Sequence, residues 1–71
     1  MGSAAEVTVN GVAEELKAGT VADLLDLKGI DPARRGIAVA VNGRVVPRRA
    51  FADTRLAAGD AVEIIQARQG G

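Results

Sequence analysis

The segment Ile37-Ala38-Val39-Ala40-Val41-Asn42-Gly43-Arg44-Val45-Val46-Pro47 is the one from which the rest of the chain can be read. Large and small residues alternate from Ile37 to Val41 with the two-residue period of a strand, so bulk points one way, toward a helix, and little the other. Asn42-Gly43 supplies two residues that tolerate positive φ, which a two-residue hairpin turn demands. Arg44-Val45-Val46 is the short returning strand, and Pro47 ends it because proline donates nothing to a ladder. The same punctuation occurs upstream. Glu6-Val7-Thr8-Val9-Asn10 alternates with Val7 and Val9 on one face, Asn10-Gly11 turns the chain, and Val12 to Lys17 returns with Leu16 inward.

Between the hairpins, Ala18-Gly19 breaks the strand. Thr20 and Asp23 stand at capping-box spacing, Asp replacing the usual Glu or Gln. The helix they open carries Val21, Leu24 and Leu25 as an apolar stripe, leaves Asp23 and Asp26 in water, and has Gly29 as its stop signal. Ile30 to Gly36 is a connector, since Pro32 disfavours helical geometry at Asp31, and Ile30 plugs the core from it. After Pro47 the stretch from Arg48 to Leu56 has no period and is expected to be turn-rich, with Phe51 and Leu56 as anchors. Ala58-Gly59-Asp60 turns into a last strand, Ala61 to Ala67, with Val62 and Ile64 on one face and Glu63 and Ile65 on the other. The order is hairpin, helix, hairpin, irregular crossover, strand. One helix must then cover one face of a mixed sheet of four to five strands, an α+β architecture of the β-grasp or ubiquitin-like type.

Composition sets the limits of function. A chain of 71 residues is one small domain with a minimal core. Its 34 apolar residues include 14 Ala and Met1, leaving 19 sizeable core candidates (nine Val, five Leu, four Ile and Phe51), enough for one sheet and one helix. With no Cys and no His there is no disulfide, no thiolate nucleophile, no imidazole base and no usual zinc ligand except carboxylates. Ser3, the only serine, lies in a start (residues 1–5) that reads as flexible and as a tag remnant, so a serine triad lacks both base and fixed nucleophile. These absences argue against an independent enzyme. Nine Lys/Arg balance nine Asp/Glu, which gives no overall pull toward nucleic acid or membrane. No membrane span or signal-peptide layout is visible, and the expectation is a soluble, cytoplasmic protein.

The end of the chain is its most unusual feature. Gly70-Gly71 follows a strand and carries the α-carboxylate, and two residues without Cβ can extend into a channel too narrow for others. The reading is a domain over residues 1–67 and a flexible tail over 68–71, shaped to be inserted into a partner.

In this order, Thr20-Val21 with Leu24-Leu25, Ala40-Val41-Asn42, Val45-Val46-Pro47-Arg48, Leu56 ahead of Gly59-Asp60, Val62-Glu63-Ile64-Ile65 and terminal Gly70-Gly71 resemble the ThiS-type sulfur carriers of thiamin biosynthesis. Two positions depart from that pattern: Phe51 stands where the family often has Trp, and Ala67-Arg68-Gln69 is more polar than the usual approach to Gly-Gly. The resemblance implies a protein cosubstrate, with no catalytic residue and no bound cofactor or metal of its own. It implies that an E1-like, ThiF-like adenylyltransferase uses ATP and Mg²⁺ to adenylate the Gly71 carboxylate. Sulfur from a donating enzyme then converts it to a thiocarboxylate, which a ThiG-like thiazole synthase consumes.

The surface such partners would grip is open to two readings at each position. Arg34, Arg35, Arg44, Arg48 and Arg49, with Arg68 beside the tail, either converge to dock an acidic surface or form an ordinary solvated face. Ile65 is either an exposed aliphatic contact or lies under arginine stems. Phe51 is read as core. Glu14-Glu15 and the pair Asp23 and Asp26 are read as solubilising acids rather than metal ligands.

The nearest alternative is the small subunit of molybdopterin synthase, which shares the topology and the Gly-Gly chemistry but is longer and more aromatic near its tail. Another Gly-Gly sulfur carrier and a ubiquitin-like modifier also remain. A regulatory or RNA-associated β-grasp module is more distant, because one aromatic residue and zero net charge leave neither stacking platform nor basic groove. A purely structural domain is the last alternative.

Overall fold

A computed structural model describes residues 5–16, 19–33 and 35–66. Both Asn-Gly pairs take the left-handed backbone that a type I′ turn requires, with φ of 52° and 84° at Asn10 and Gly11 and 53° and 82° at Asn42 and Gly43. The first turn joins β1 (Ala5–Val9) to β2 (Val12–Leu16), and the second joins β3 (Ile37–Val41) to β4 (Arg44–Val46). The last strand, β5 (Ala61–Gln66), lies between the hairpins in a five-stranded sheet of order β2-β1-β5-β3-β4. It runs parallel to β1 and antiparallel to β3. Lys17 and Ala67, expected as the ends of the second and last strands, lie outside the described residues.

The helix α1 (Val21–Leu27) is seven residues long, too short to persist alone, and its ends show what holds it. At the start, the Asp23 N–H donates to Thr20 Oγ1 (3.2 Å) and Asp23 Oδ2 accepts from the N–H of Thr20 and of Gly19 (both 3.1 Å), which is the expected capping box. The Val21 and Ala22 N–H groups donate to the carbonyls of Thr54 and Phe51, at 3.0 Å each. The crossover therefore closes the helix N-terminus, and its lack of sequence period reflects this backbone role. Within it, a 3₁₀ turn over Arg48–Ala50 follows Pro47, and an isolated bridge pairs Thr20 with Arg55.

At the other end, Lys28 caps the helix and Gly29 follows at φ 74°, so the expected glycine stop lies one position beyond the last helical geometry. The Ile30 N–H donates to the Leu25 carbonyl (2.9 Å) and the Gly29 N–H to the Asp26 carbonyl (3.0 Å), the pair of bonds that defines a Schellman motif. This motif turns Ile30 back onto the core, where it packs half-buried as expected.

Val21, Leu24 and Leu25 are fully buried against Val7 and Val9 of β1, Ile37 and Val39 of β3, and Val62 and Ile64 of β5. Leu16, Val46 and Phe51 close the margins of this core. Phe51 is thus a core residue, as read from the sequence. A mixed five-stranded sheet with one covering helix is the β-grasp architecture, and it leaves the opposite sheet face open.

Candidate functional site

The expected reacting group, Gly71, lies outside the described residues together with Gly70 and Arg68. What the structure does describe is the strand that leads to them. β5 is the central strand and is held on both sides by turn residues of the two hairpins. Asn42 donates from Nδ2 to Asp60 Oδ1 (3.0 Å) and accepts at Oδ1 from the Ala61 N–H (2.9 Å). Asn10 accepts at Oδ1 from the Ile64 N–H (2.8 Å) and donates from Nδ2 to the Ile64 carbonyl (3.2 Å). Apart from the place of Asn42 in the family resemblance, the sequence marked both asparagines as turn formers. An amide, which both donates and accepts, is the one signal at these positions that pointed to more.

Ile65 emerges on the face away from the helix, as expected from the alternation of β5, and 57% of it is exposed. Its register partner on β3 is Ala38, and the neighbouring row is Glu63, Ala40 and Val45. Small alanines leave Ile65 and Val45, the latter 77% exposed, standing out from this face as aliphatic projections beside an acidic side chain. Such a surface is suited to a protein contact. Of the two readings of Ile65, exposure favours the first.

Arg48 is placed elsewhere. With Arg49 it flanks a shallow, mainly apolar groove on the helix side of the molecule, formed with Ala22, Pro32, Ala33 and Phe51. Arg48 and Arg49 are thus brought together, whereas Arg44 belongs to β4 and Arg35 to the turn before β3. Arg34, like Arg68, lies outside the described residues. Ile65 and Arg48 therefore lie on different surfaces of the domain, and no single face joins the two.

The acidic residues have local partners. Glu14 pairs with Lys28 across the helix end, while Glu15 alternates to the other face of β2. The Asp23 carboxyl is held below its ordinary pKa of 3.8, first by the Gly19 N–H, then by the Thr20 N–H and hydroxyl. Among the described residues no three carboxylates cluster as a metal site would require, and no helix is long and apolar enough to cross a membrane.

Comparison with known proteins adds the rest. No significant match is found among curated proteins. A crystal structure of the thiamine biosynthesis protein ThiS from Geobacter metallireducens is similar at a TM-score of 0.76 and 33% identity, over 93% of this chain and 99% of that one. A solution NMR structure of a thiamine biosynthesis protein from the same organism gives 0.75 and 33%, over 93% and 87%. The model of the ThiS family matches residues 3–71. That match begins at Ser3 and runs to Gly71, through every element of the sheet and the Gly-Gly end, and the chain belongs to the ThiS family.

Proposed function

We propose that this chain is a sulfur carrier of thiamin biosynthesis and that its reacting group is the carboxylate of Gly71. The observation that carries the reading is that the family match extends through Gly70-Gly71 in a chain without Cys, His or any other self-contained catalytic set. The place of β5 at the centre of the sheet, paired with β1 on one side and with β3 up to Gln66 on the other, supports it further, because the chain leading to the carboxyl end starts from the best-held strand of the body.

The chemistry proposed is activation of a poor electrophile. Attack of the Gly71 carboxylate on ATP, with Mg²⁺ held by an E1-like adenylyltransferase, releases pyrophosphate and leaves an acyl-adenylate. A sulfur nucleophile then attacks the carbonyl, AMP departs, and the product is a thiocarboxylate from which a thiazole synthase takes sulfur. The carrier contributes position. Gly70 and Gly71 let the chain enter a narrow active site, and the body supplies a docking surface that makes delivery effectively intramolecular. Ile65, with Val45 two strands away on the same face, is the proposed centre of that surface. Arg68 is proposed as a charged contact that speeds encounter, whereas Arg48, at the groove on the helix side, is not part of that surface. ATP and Mg²⁺ belong to the activating enzyme, not to this chain.

Addition of one residue after Gly71 tests the proposal. ATP–pyrophosphate exchange catalysed by the activating enzyme should be lost, with the melting temperature unchanged. Undiminished exchange with the blocked end would refute the assignment of the reacting group.

A further inference from the structure

The two Asn-Gly turns are near copies in backbone geometry, yet their side chains grip opposite ends of the same strand. Asn42 binds β5 at its first residue, Ala61, and the preceding Asp60. Asn10 binds β5 at Ile64, two residues before its end at Gln66. The difference follows from topology. β1 runs parallel to β5, its last register pair is Val9 with Val62, and the Asn10 N–H donates to the Val62 carbonyl (2.9 Å). At Gly11 the chain reverses into β2, so no further backbone of β1 remains for the next rung.

The Asn10 carboxamide fills that rung. Its oxygen and nitrogen meet the N–H and C=O of Ile64 as the peptide group of a following residue would. Beyond it, Gln66 lines an open cleft with Asn10, Val12, Glu14, Lys28 and Ile30. Among the described residues, Asn10 is thus the last grip on the backbone of β5 from the β1 side before the chain proceeds to its carboxyl end. On the other side, β3 reaches Gln66 through the pair Ile37–Gln66.

We propose that Asn10 is a positioning residue for the reaction of the C-terminal tail. By extending the parallel ladder one rung past the hairpin turn, it fixes the direction in which the chain leaves the sheet. This inference rests on the reading of Gly71 as the reacting group. Its role differs from that of Asn42, which makes the same number of side-chain bonds but at the end of β5 remote from the tail.

The matched pair supplies the experiment. Asn10→Gly and Asn42→Gly both keep positive φ accessible in a type I′ turn, and each removes two side-chain hydrogen bonds. The carrier is a substrate in the activation reaction. Loss of folded protein therefore only dilutes it, raising apparent KM and leaving kcat at saturation unchanged. Misdirection of the tail after the body has docked lowers kcat instead.

ATP–pyrophosphate exchange with the activating enzyme should show kcat for Asn10→Gly reduced about tenfold at nearly constant KM, the order expected for one net hydrogen bond in positioning. Asn42→Gly should retain the wild-type kcat. In amide hydrogen exchange, Asn10→Gly should speed Ile64 and Ile65 about tenfold relative to Ala61, and Asn42→Gly should do the reverse. Equal effects of the two variants on kcat, or equal acceleration along all of β5, would overturn the proposal. If the wild-type chain shows no pyrophosphate exchange, the proposed function fails and the kinetic arm falls with it. The exchange pattern at Ile64 and Ile65 then decides alone whether Asn10 fixes the end of the strand.

Discussion

Replacement of Gly29 by L-Ala and by D-Ala separates handedness from crowding at the helix end. Gly29 has φ 74°, and a Cβ built there meets no atom within 4 Å. Steric contact therefore contributes nothing, and the whole effect comes from the backbone. An L-residue held in the left-handed region costs about 1–2 kcal/mol, of which about 0.4–1 kcal/mol is offset by the lower entropy of the unfolded chain. The net loss for L-Ala is about 1 kcal/mol. D-Ala has the opposite preference, retains the entropic gain and should stabilise by about 0.4–1 kcal/mol. For a domain of this size, about 1 kcal/mol moves the melting temperature by about 4–8 °C. Chemical synthesis gives access to both variants in a chain of 71 residues. Far-UV circular dichroism is the appropriate probe, because the chain has no Trp or Tyr. Opposite shifts confirm the Schellman geometry through which Ile30 is returned to the core. Equal losses for the two enantiomers would mean that crowding governs the site, and no shift for either would mean that the motif is not formed in solution.

Leu24→Ala, at a position with no exposure, should cost about 2–5 kcal/mol in urea unfolding, a large share of the roughly 4–10 kcal/mol that a domain of this length commands. Acid titration should expose the capping box. Because the folded pKa of Asp23 is depressed, its contribution is complete above the ordinary value of 3.8 and is lost as pH falls through the lower folded value. Thermal melts taken from about pH 5 downward should therefore fall more steeply for the wild type than for Asp23→Asn. Ile65→Thr keeps a β-branched residue on an exposed sheet position and should change stability by less than about 0.5 kcal/mol while slowing activation of the tail several-fold. A variant that activates at the wild-type rate would remove Ile65 from the docking surface.

The features legible in the sequence are those decided within a few residues. Asn10-Gly11 and Asn42-Gly43 require positive φ whatever surrounds them, and Thr20 with Asp23 closes a capping box within one helical turn. Alternation in Ile37 to Val41 and the stripe Val21, Leu24 and Leu25 fix which sides face the core, and the exposure of Ile65 follows from the same period in β5. What the residues did not disclose depends on distant partners. The central place of β5 is secured by bonds from Asn10, 54 positions away, and from Asn42 to Asp60, 18 positions away, and no local pattern announces either. The crossover from Arg48 to Leu56 lacks a period because its backbone carbonyls at Phe51 and Thr54 serve the helix start. The arginines share composition but not location. Arg48 and Arg49 meet at one groove because consecutive residues of a 3₁₀ turn lie together, whereas Arg44 is committed to an edge strand.

Thiocarboxylate formation at Gly71 is the central claim, and intact-mass analysis tests it most directly. The chain would be incubated with the activating enzyme, ATP, Mg²⁺ and a sulfur donor, in parallel with a Gly71 deletion. Exchange of oxygen for sulfur is nearly isobaric with oxidation of Met1, so a thiocarboxylate-reactive alkylating probe distinguishes the two. The account predicts an ATP-dependent, alkylated product confined to the chain that ends in Gly70-Gly71. An unmodified full-length chain under conditions in which the same enzyme activates another Gly-Gly carrier would contradict it.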